Sequence, residues 1–328
     1  MKISFEKFCN EILSRVSHIL ADEGIEGVTL VRRNKLNDQV LIGITAEPSK
    51  IPGFETEMQA PIVYLNAPYD AYVRDNTVTL DDLSLQIADG YLRAFRPTGF
   101  MGKLRNLEWK NVKSHVLPKI VCTKMNEAYL KGRPYREIPG TDLASTYYIL
   151  FEKNAEGQYS SPVTDDMMKA WGIEVDELHE TAVENVNSNI EFKKVADIMA
   201  ELLRHQLKDM GFSEESMDLR VENFYEDIEE QDVNMFVLRS SKLYGAAAML
   251  SKDAMDKVCD KVGETYRVLP ASVHELIILP DDADIPDSDV RNIVGAVNED
   301  ELLPEERLSY NIYRYTRGKG LSLIAAVE

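Results

Sequence analysis

Ser272, His274 and Glu275 fall together in the segment Leu269-Pro270-Ala271-Ser272-Val273-His274-Glu275. A hydroxyl, an imidazole and a carboxylate are the groups of a nucleophile–base–orienter arrangement. On an extended chain Ser272 and His274 share one face while Glu275 points to the other. A carboxylate so placed does not orient its neighbour's imidazole, and no Gly-x-Ser-x-Gly elbow occurs in the sequence. The plainer reading is a tight connection between two strands, with Ser272 and Glu275 satisfying turn amides. The three residues are therefore weak catalytic candidates, and a hydrolase centred on Ser272 and His274 is an alternative rather than the leading reading.

Metal and phosphate chemistry have less to stand on. Asp176 and His179 are three apart on a helical stretch, and Glu201 and His205 are four apart, so each pair shares a face. No HExxH or second histidine completes a set, and a solvated helix face accounts for both pairs. No metal and no other cofactor is expected. There is no GxxxxGK[ST] and no GxGxxG between a strand and a helix. Gly99 and Gly102 lie near Arg96, Lys103 and Arg105, which would suit an anion loop or an ordinary connecting loop equally.

The sharpest feature is electrical. Between Tyr91 and Arg136 stand eleven basic and two acidic side chains, in a chain whose net charge is −19. The residues outside that window therefore carry −28. Aromatic residues Phe95, Phe100, Trp109 and Tyr129 interleave with Arg93, Arg96, Lys103, Arg105, Lys110, Lys113 and Lys119. Three readings follow. The window could dock an acidic protein partner, lie against the chain's own acidic segments at 213–232 and 275–306, or track single-stranded nucleic acid by charge and stacking. The first two are favoured, with Arg93, Arg96, Lys103, Arg105, Trp109, Lys110 and Lys113 as the binding residues. Nucleic acid is the less favoured partner, because the chain as a whole is acidic.

The elements that must position these residues read as follows. Phe5, Phe8, Ile12, Val16 and Leu20 recur at helical spacing over 4–22. Val28–Val31 and Val40–Ile44 suggest a hairpin, and Pro61–Leu65 another strand. Thr79 and Asp82 form a variant capping box for a helix that stops before Pro97. Pro118–Thr123 reads as a strand and Asn126–Lys131 as a short helix ended by Gly132. Thr164 caps a helix that Gly172 ends, and a second helix spans 175–186. A long amphipathic helix is expected over Phe192–Met210. Ser213–Asp232, with nine acids and one arginine, reads as a solvated, mobile segment. Tyr244–Leu250 reads as a strand, and Ser251 caps a helix ending at Gly263. Strands at Tyr266–Leu269 and Leu276–Leu279, a helix over Ser288–Val297 and a last strand near Leu321–Val327 complete the chain.

An internal echo runs through this order. Tyr135-Arg136-Glu137-Ile138-Pro139 and Tyr266-Arg267-Val268-Leu269-Pro270 sit at matching places in two strand–helix–strand–strand–helix runs. A duplicated β-α-β-β-α unit, at about 115–187 and 235–298, would account for it; an ordinary strand ending met twice would too. The expected class is α+β, with mixed or antiparallel sheets and helices packed on them. A length of 328 residues suits about two domains, divided as 1–105 and 106–328. Three widely spaced cysteines without a CxxC point to a reducing compartment. The charged start Lys2–Lys7 lacks the apolar run of an export signal, and no apolar stretch is long enough to span a membrane. A cytoplasmic location without membrane contact is the expectation.

Several stretches resemble an uncharacterised bacterial domain-of-unknown-function family, number fifty-six eighty-eight. They are Ile62–Asn66, Trp171–Ile173 with Glu177, Leu178 and Asn185, Leu243–Leu250, and above all Leu269–Glu275 with Leu279, Pro280, Val297 and Asn298. Ala271 and Val273 stand where the family usually has Ser and Ile. The resemblance covers nearly the full length and implies no activity and no residue roles. The reading that results is a non-catalytic binding or adaptor protein with segregated charge.

Overall fold

Ser4 accepts the Lys7 N–H at 3.4 Å and opens helix α1 (Phe5–Asp22), whose Phe8, Ile12, Val16 and Leu20 are fully buried. The structure, a computed structural model, describes residues 2–47, 50–51, 60–95, 107–154, 157–187, 189–229, 234–240 and 243–324. The fold is α+β. The chain divides into two compact units, Met1–Val112 with Leu150–Ser160, and Lys113–Ile149 with Ser161–Glu328.

In the first unit β1 (Val28–Asn34) and β2 (Val40–Ala46) form the expected hairpin, in register from Val28↔Ala46 to Asn34↔Val40. Asn37 and Asp38 turn it at positive φ, which their short polar side chains tolerate. The strand expected at Pro61–Leu65 shrinks to β3 (Val63–Tyr64), because Leu65 already donates to Ile42 O (2.9 Å) as the chain turns into α2 (Asn66–Arg74), a helix the pattern did not suggest. The Asp82 N–H donates to Thr79 Oγ1 (3.2 Å) at the start of α3 (Leu80–Phe95). Leu83, Ile87 and Tyr91 of α3 join the α1 face and Ile44 in one core, and Ala46 N–H donates to the buried Tyr91 hydroxyl at 2.8 Å. The short helix α4 (Trp109–Val112) closes this unit.

The second unit holds two antiparallel sheets, apart from residues 150–160 at the ends of two strands, which belong to the first unit. The first has the order β4-β6-β5, with β7 beside β6: β4 (Val116–Cys122), β5 (Tyr135–Glu137), β6 (Leu143–Asn154) and β7 (Gly157–Pro162). Between β4 and β5 lies α5 (Glu127–Leu130), and after β7 come α6 (Asp165–Trp171) and α7 (Val175–Asn187). Thr164 caps α6, and Gly172 ends it in the left-handed region, as the spacing predicts. Every residue of β4 is buried. Pro118 fits there because, among the described residues, β4 pairs on one side only, and the carbonyl opposite it, Tyr147 O, is taken by Val163 N–H at 3.0 Å. Asn185 of α7 donates to Lys113 O (2.7 Å) and Val116 O (2.8 Å), tying helix to strand.

The second sheet has six strands in the order β13-β12-β10-β11-β9-β8, all antiparallel. They are β8 (Ile190–Lys194), β9 (Phe236–Ser240), β10 (Thr265–Leu269), β11 (Leu276–Pro280), β12 (Tyr313–Thr316) and β13 (Gly320–Leu323). Helices α8 (Val195–Asp209), α9 (Glu214–Glu229), α10 (Lys252–Val262) and α11 (Asp287–Asp300) complete the unit. Three expectations are corrected here. The helix expected from Phe192 starts only at Val195, because 190–194 pairs with β9. The acidic stretch after Ser213 is not a loose segment but α9; Met217 is buried and Val221 and Phe224 half-buried, at helical spacing under the charges. Tyr244–Leu250 is not a strand: Gly245–Leu250 is a 3₁₀ turn. Three successive alanines favour helical over extended backbone.

The two sheets share a pattern. The order β4-β6-β5 and the order β9-β11-β10 are the same walk through the chain, and both pairs in each are antiparallel. In the turn after β5, Leu143 N–H donates to Thr141 Oγ1 at 3.1 Å. In the turn after β10, His274 N–H donates to Ser272 Oγ at 3.0 Å. Thr141 and Ser272 each stand two residues after the proline of the echo, Pro139 and Pro270.

One polar lock joins the sheets. The buried Tyr313 hydroxyl donates to Asp142 Oδ1 at 2.6 Å, and Asn311 Nδ2 donates to Oδ2 at 3.0 Å. Burial, then the Asp142 charge, pushes the Tyr313 phenol far up, so it stays a donor. Tyr313→Phe is expected to cost about 1–3 kcal/mol, because it strips a donor from a partly buried carboxylate. The check is the urea midpoint at constant slope; an unmoved midpoint would show that the lock carries no load.

Candidate functional site

Lys119 lies in the middle of the buried run Val116-Leu117-Pro118-Lys119-Ile120-Val121-Cys122 and is itself only 7% exposed. A lysine so placed must keep its amine solvated by protein groups. Its Nζ is 3.4 Å from the Tyr129 hydroxyl of α5. Three tyrosine rings surround it: Tyr244 at 3.8 Å from the amine to the ring centroid, Tyr129 at 5.6 Å and Tyr148 of β6 at 5.7 Å. The negative ring faces attract the ammonium, about 0.5–2 kcal/mol for each well-placed ring. The guanidinium of Arg133 lies over the other ring of the group, 4.3 Å from the Tyr129 centroid, and donates to Tyr129 O.

Tyr244 is the strained member. It adopts φ 58° and ψ 50°, the left-handed region that a bulky side chain avoids. The conformation is held from both sides. Tyr148 donates its hydroxyl to Leu243 O at 2.8 Å and meets the Tyr244 ring edge-on, with centroids 5.3 Å apart. On the following side, a Cβ on Gly245 would lie 2.3 Å from His274 O and 2.5 Å from Ser240 O, so no other residue enters this turn. Ala246 N–H then donates to Val273 O at 3.3 Å. The Tyr244 ring lies parallel to the His274 imidazole, 8° between planes and 5.7 Å between centroids. The His274 side chain is 41% exposed, and its Nε2 is 3.9 Å from Glu306 Oε1. A chain of groups therefore runs from surface to core: Glu306, His274, Tyr244, Lys119, Tyr129.

This arrangement reassigns the residues singled out by sequence. Ser272 is buried, and its Oγ accepts the His274 backbone N–H at 3.0 Å. Glu275 pairs with Arg239 at 3.3 Å, in line with its opposite facing on an extended chain. Ser272 therefore meets the backbone of His274, and Glu275 meets Arg239. Among the basic residues, Arg93 pairs with Asp89 (3.2 Å) and Lys110 with Glu108 (2.6 Å), both in the first unit. Trp109 is half-buried in α4, and Lys113 is exposed in the second unit. Arg96, Lys103, Arg105, Gly99, Phe100 and Gly102 lie outside the described residues, as does the side chain of Phe95. The acidic segments pair with arginines from elsewhere in the second unit: Glu214 and Asp218 with Arg204, Asp281 with Arg314, Asp287 with Arg267, and Glu299 with Arg307.

The metal pairs dissolve in the same way. Asp176 pairs with Arg136 (3.3 Å) and Glu201 with Lys193 (2.9 Å). His179 Nδ1 is 2.9 Å from the Tyr147 hydroxyl. No group of three or more His, Cys, Asp or Glu able to hold a metal occurs among the described residues. Nor is any helix among them long and apolar enough to cross a membrane.

A family model described as a family of unknown function, DUF5688, matches residues 5–317. The chain belongs to that family. The DUF5688 match runs through both units and includes every residue of the Lys119 site. Neither the curated proteins nor the solved structures yield a match.

Sequence reading missed Lys119, Tyr148 and Tyr244. Lys119 was counted with the surface cations; the signal against that was its apolar neighbours on both sides in a strand-like run. Two predictions follow from this geometry. Gly245→Ala should cost about 2–4 kcal/mol, since its methyl group meets two backbone carbonyls; a denaturation midpoint within error of wild type would sink this account. His179 titrates below its ordinary value, pushed down first by burial and then by Arg136, with Asp176 opposing. The unfolded chain therefore takes up that proton first as pH falls through about 6.5, and stability is lost below it. Wild type should lose more stability than His179→Gln between about pH 7.5 and about pH 5; equal losses would count against the assignment.

Proposed function

We propose that this protein binds a small organic anion where Tyr244 covers Lys119, with His274 at the mouth of the site. The observation that carries the reading is the left-handed Tyr244, whose ring rests on a buried amine and on a half-exposed imidazole at once. Backbone strain of about 1–3 kcal/mol persists only where the surroundings impose it, and it concentrates at ligand clamps. A carboxylate or phosphate offers the Lys119 ammonium a charge-assisted hydrogen bond, roughly twice as strong as a neutral one and stronger than a ring face. A ligand that supplies this bond can displace the Tyr244 ring from the amine while the backbone stays held from both sides. The apolar part of the ligand then stacks on the aromatic surfaces of His274 and Tyr148. Nothing in this sequence of contacts needs a nucleophile, and Ser272 and Glu275 are engaged elsewhere. The reading is therefore a binding protein rather than a hydrolase.

The test is isothermal titration with benzoate and with phenyl phosphate, alongside thermal melting. Saturable binding is expected, with stabilisation of about 2.7 kcal/mol at a hundredfold excess over Kd. Lys119→Met should weaken binding at least about tenfold, or 1.4 kcal/mol. His274→Ala, at the surface, should weaken it less while leaving the melting temperature of the unliganded protein nearly unchanged. Absence of binding to both probes, or equal binding by wild type and Lys119→Met, would overturn the proposal.

A further inference from the structure

Helix α8 has one side that neither the sheet nor α9 covers. Ala200 and Leu207 are buried, and Asp197 and Arg204 reach α9 through Tyr225 (3.0 Å) and through Glu214 and Asp218. Met199, Leu202, Gln206 and Met210 recur at three- and four-residue steps on the remaining side, so they form one stripe. Met199 is 47% exposed, Leu202 58% and Met210 72%. Half-buried Val195, Ile198 and Leu203 flank the stripe and widen its apolar surface. Large side chains left in water over a whole helix face mark an interaction surface, and methionines at such a face adapt to varied partners.

Charge says what kind of partner fits. Between Val195 and Glu229 there are ten acidic and three basic residues. Of the three, Arg204 is already held by Glu214 and Asp218, and the Arg220 guanidinium lies 4.7 Å from the Phe212 ring centroid. An apolar stripe on a helical pair with this excess of carboxylates complements a helix that is apolar on one face and basic on the other. We infer that this face of α8 docks a basic amphipathic helix of a partner protein. The inference is independent of the Lys119 site.

The test uses the full chain and a synthetic peptide of about five helical turns, about 18 residues, with leucines on one face and lysines on the other. Its control is the same composition scrambled so that no face forms. The amphipathic peptide should bind at least about tenfold more tightly than the control, and binding should weaken as salt rises. Met199→Glu with Leu202→Glu should remove at least about tenfold of that affinity, with helix content and melting temperature retained because both sites are exposed. Three results would each overturn the inference: equal binding of both peptides, which would mean charge attraction alone; unchanged binding by the double variant; or a dimer of the free chain, seen by light scattering, that the double variant abolishes, which would make a second copy the occupant.

Discussion

A strand buried from end to end cannot carry a cation unless the protein replaces the water that the cation has lost. That constraint, imposed by Lys119 in β4, organises the centre of the second unit. Its amine needs a hydroxyl and ring faces, which α5, β6 and the segment before the 3₁₀ turn supply. Tyr244 lies over the amine with its backbone in the left-handed region, and the bend demands a residue without a side chain next to it. The bend also brings the 3₁₀ turn against the connection between β10 and β11, so that His274 stacks on Tyr244. The lysine, the strained tyrosine, the glycine and the histidine thus form one connected arrangement.

Around this centre the unit is held by polar side chains that bridge elements rather than by helix packing alone. Asp142 gathers Tyr313 and Asn311 across the two sheets. Arg267, nearly fully buried, donates to the carbonyls of Ala283 (2.9 Å) and Pro280 (3.3 Å) and pairs with Asp287, which fixes the loop leading into α11. Removing one partner of a buried charge of this kind costs more than the pair's presence gains.

Much of the frame was legible because local signals and burial agreed. Thr164 and Ser251 cap helices where the spacing put them, and Gly172 ends α6 at the expected residue. The Tyr-Arg-x-aliphatic-Pro echo falls on two strands, but β5 ends its path in the first sheet while β10 lies between β11 and β12, so a duplicated unit is not established. Where reading failed, a tertiary cause had overridden composition. The acids after Ser213 suggested solvation, but Met217, Val221 and Phe224 hold that stretch as a helix. The alanines after Tyr244 looked like a strand core, but their small size lets a tight turn enter the interior. Ser272, His274 and Glu275 drew notice by type; position in the turn decides their roles, and only His274 reaches the site. A lysine's charge is visible in a sequence, while its burial depends on elements far along the chain, so Lys119 could not be told from Lys113 by counting.

The proline beside that lysine has a consequence of its own. Pro118 lies on a strand that, among the described residues, has a neighbour on one flank only, at a position whose amide would have pointed away from that neighbour. A foreign strand approaching that border would find the donor ladder broken at mid-length. Burial of every β4 residue and the missing amide together leave that edge without an open donor ladder, although the segment has the apolar, branched composition from which cross-β assemblies grow.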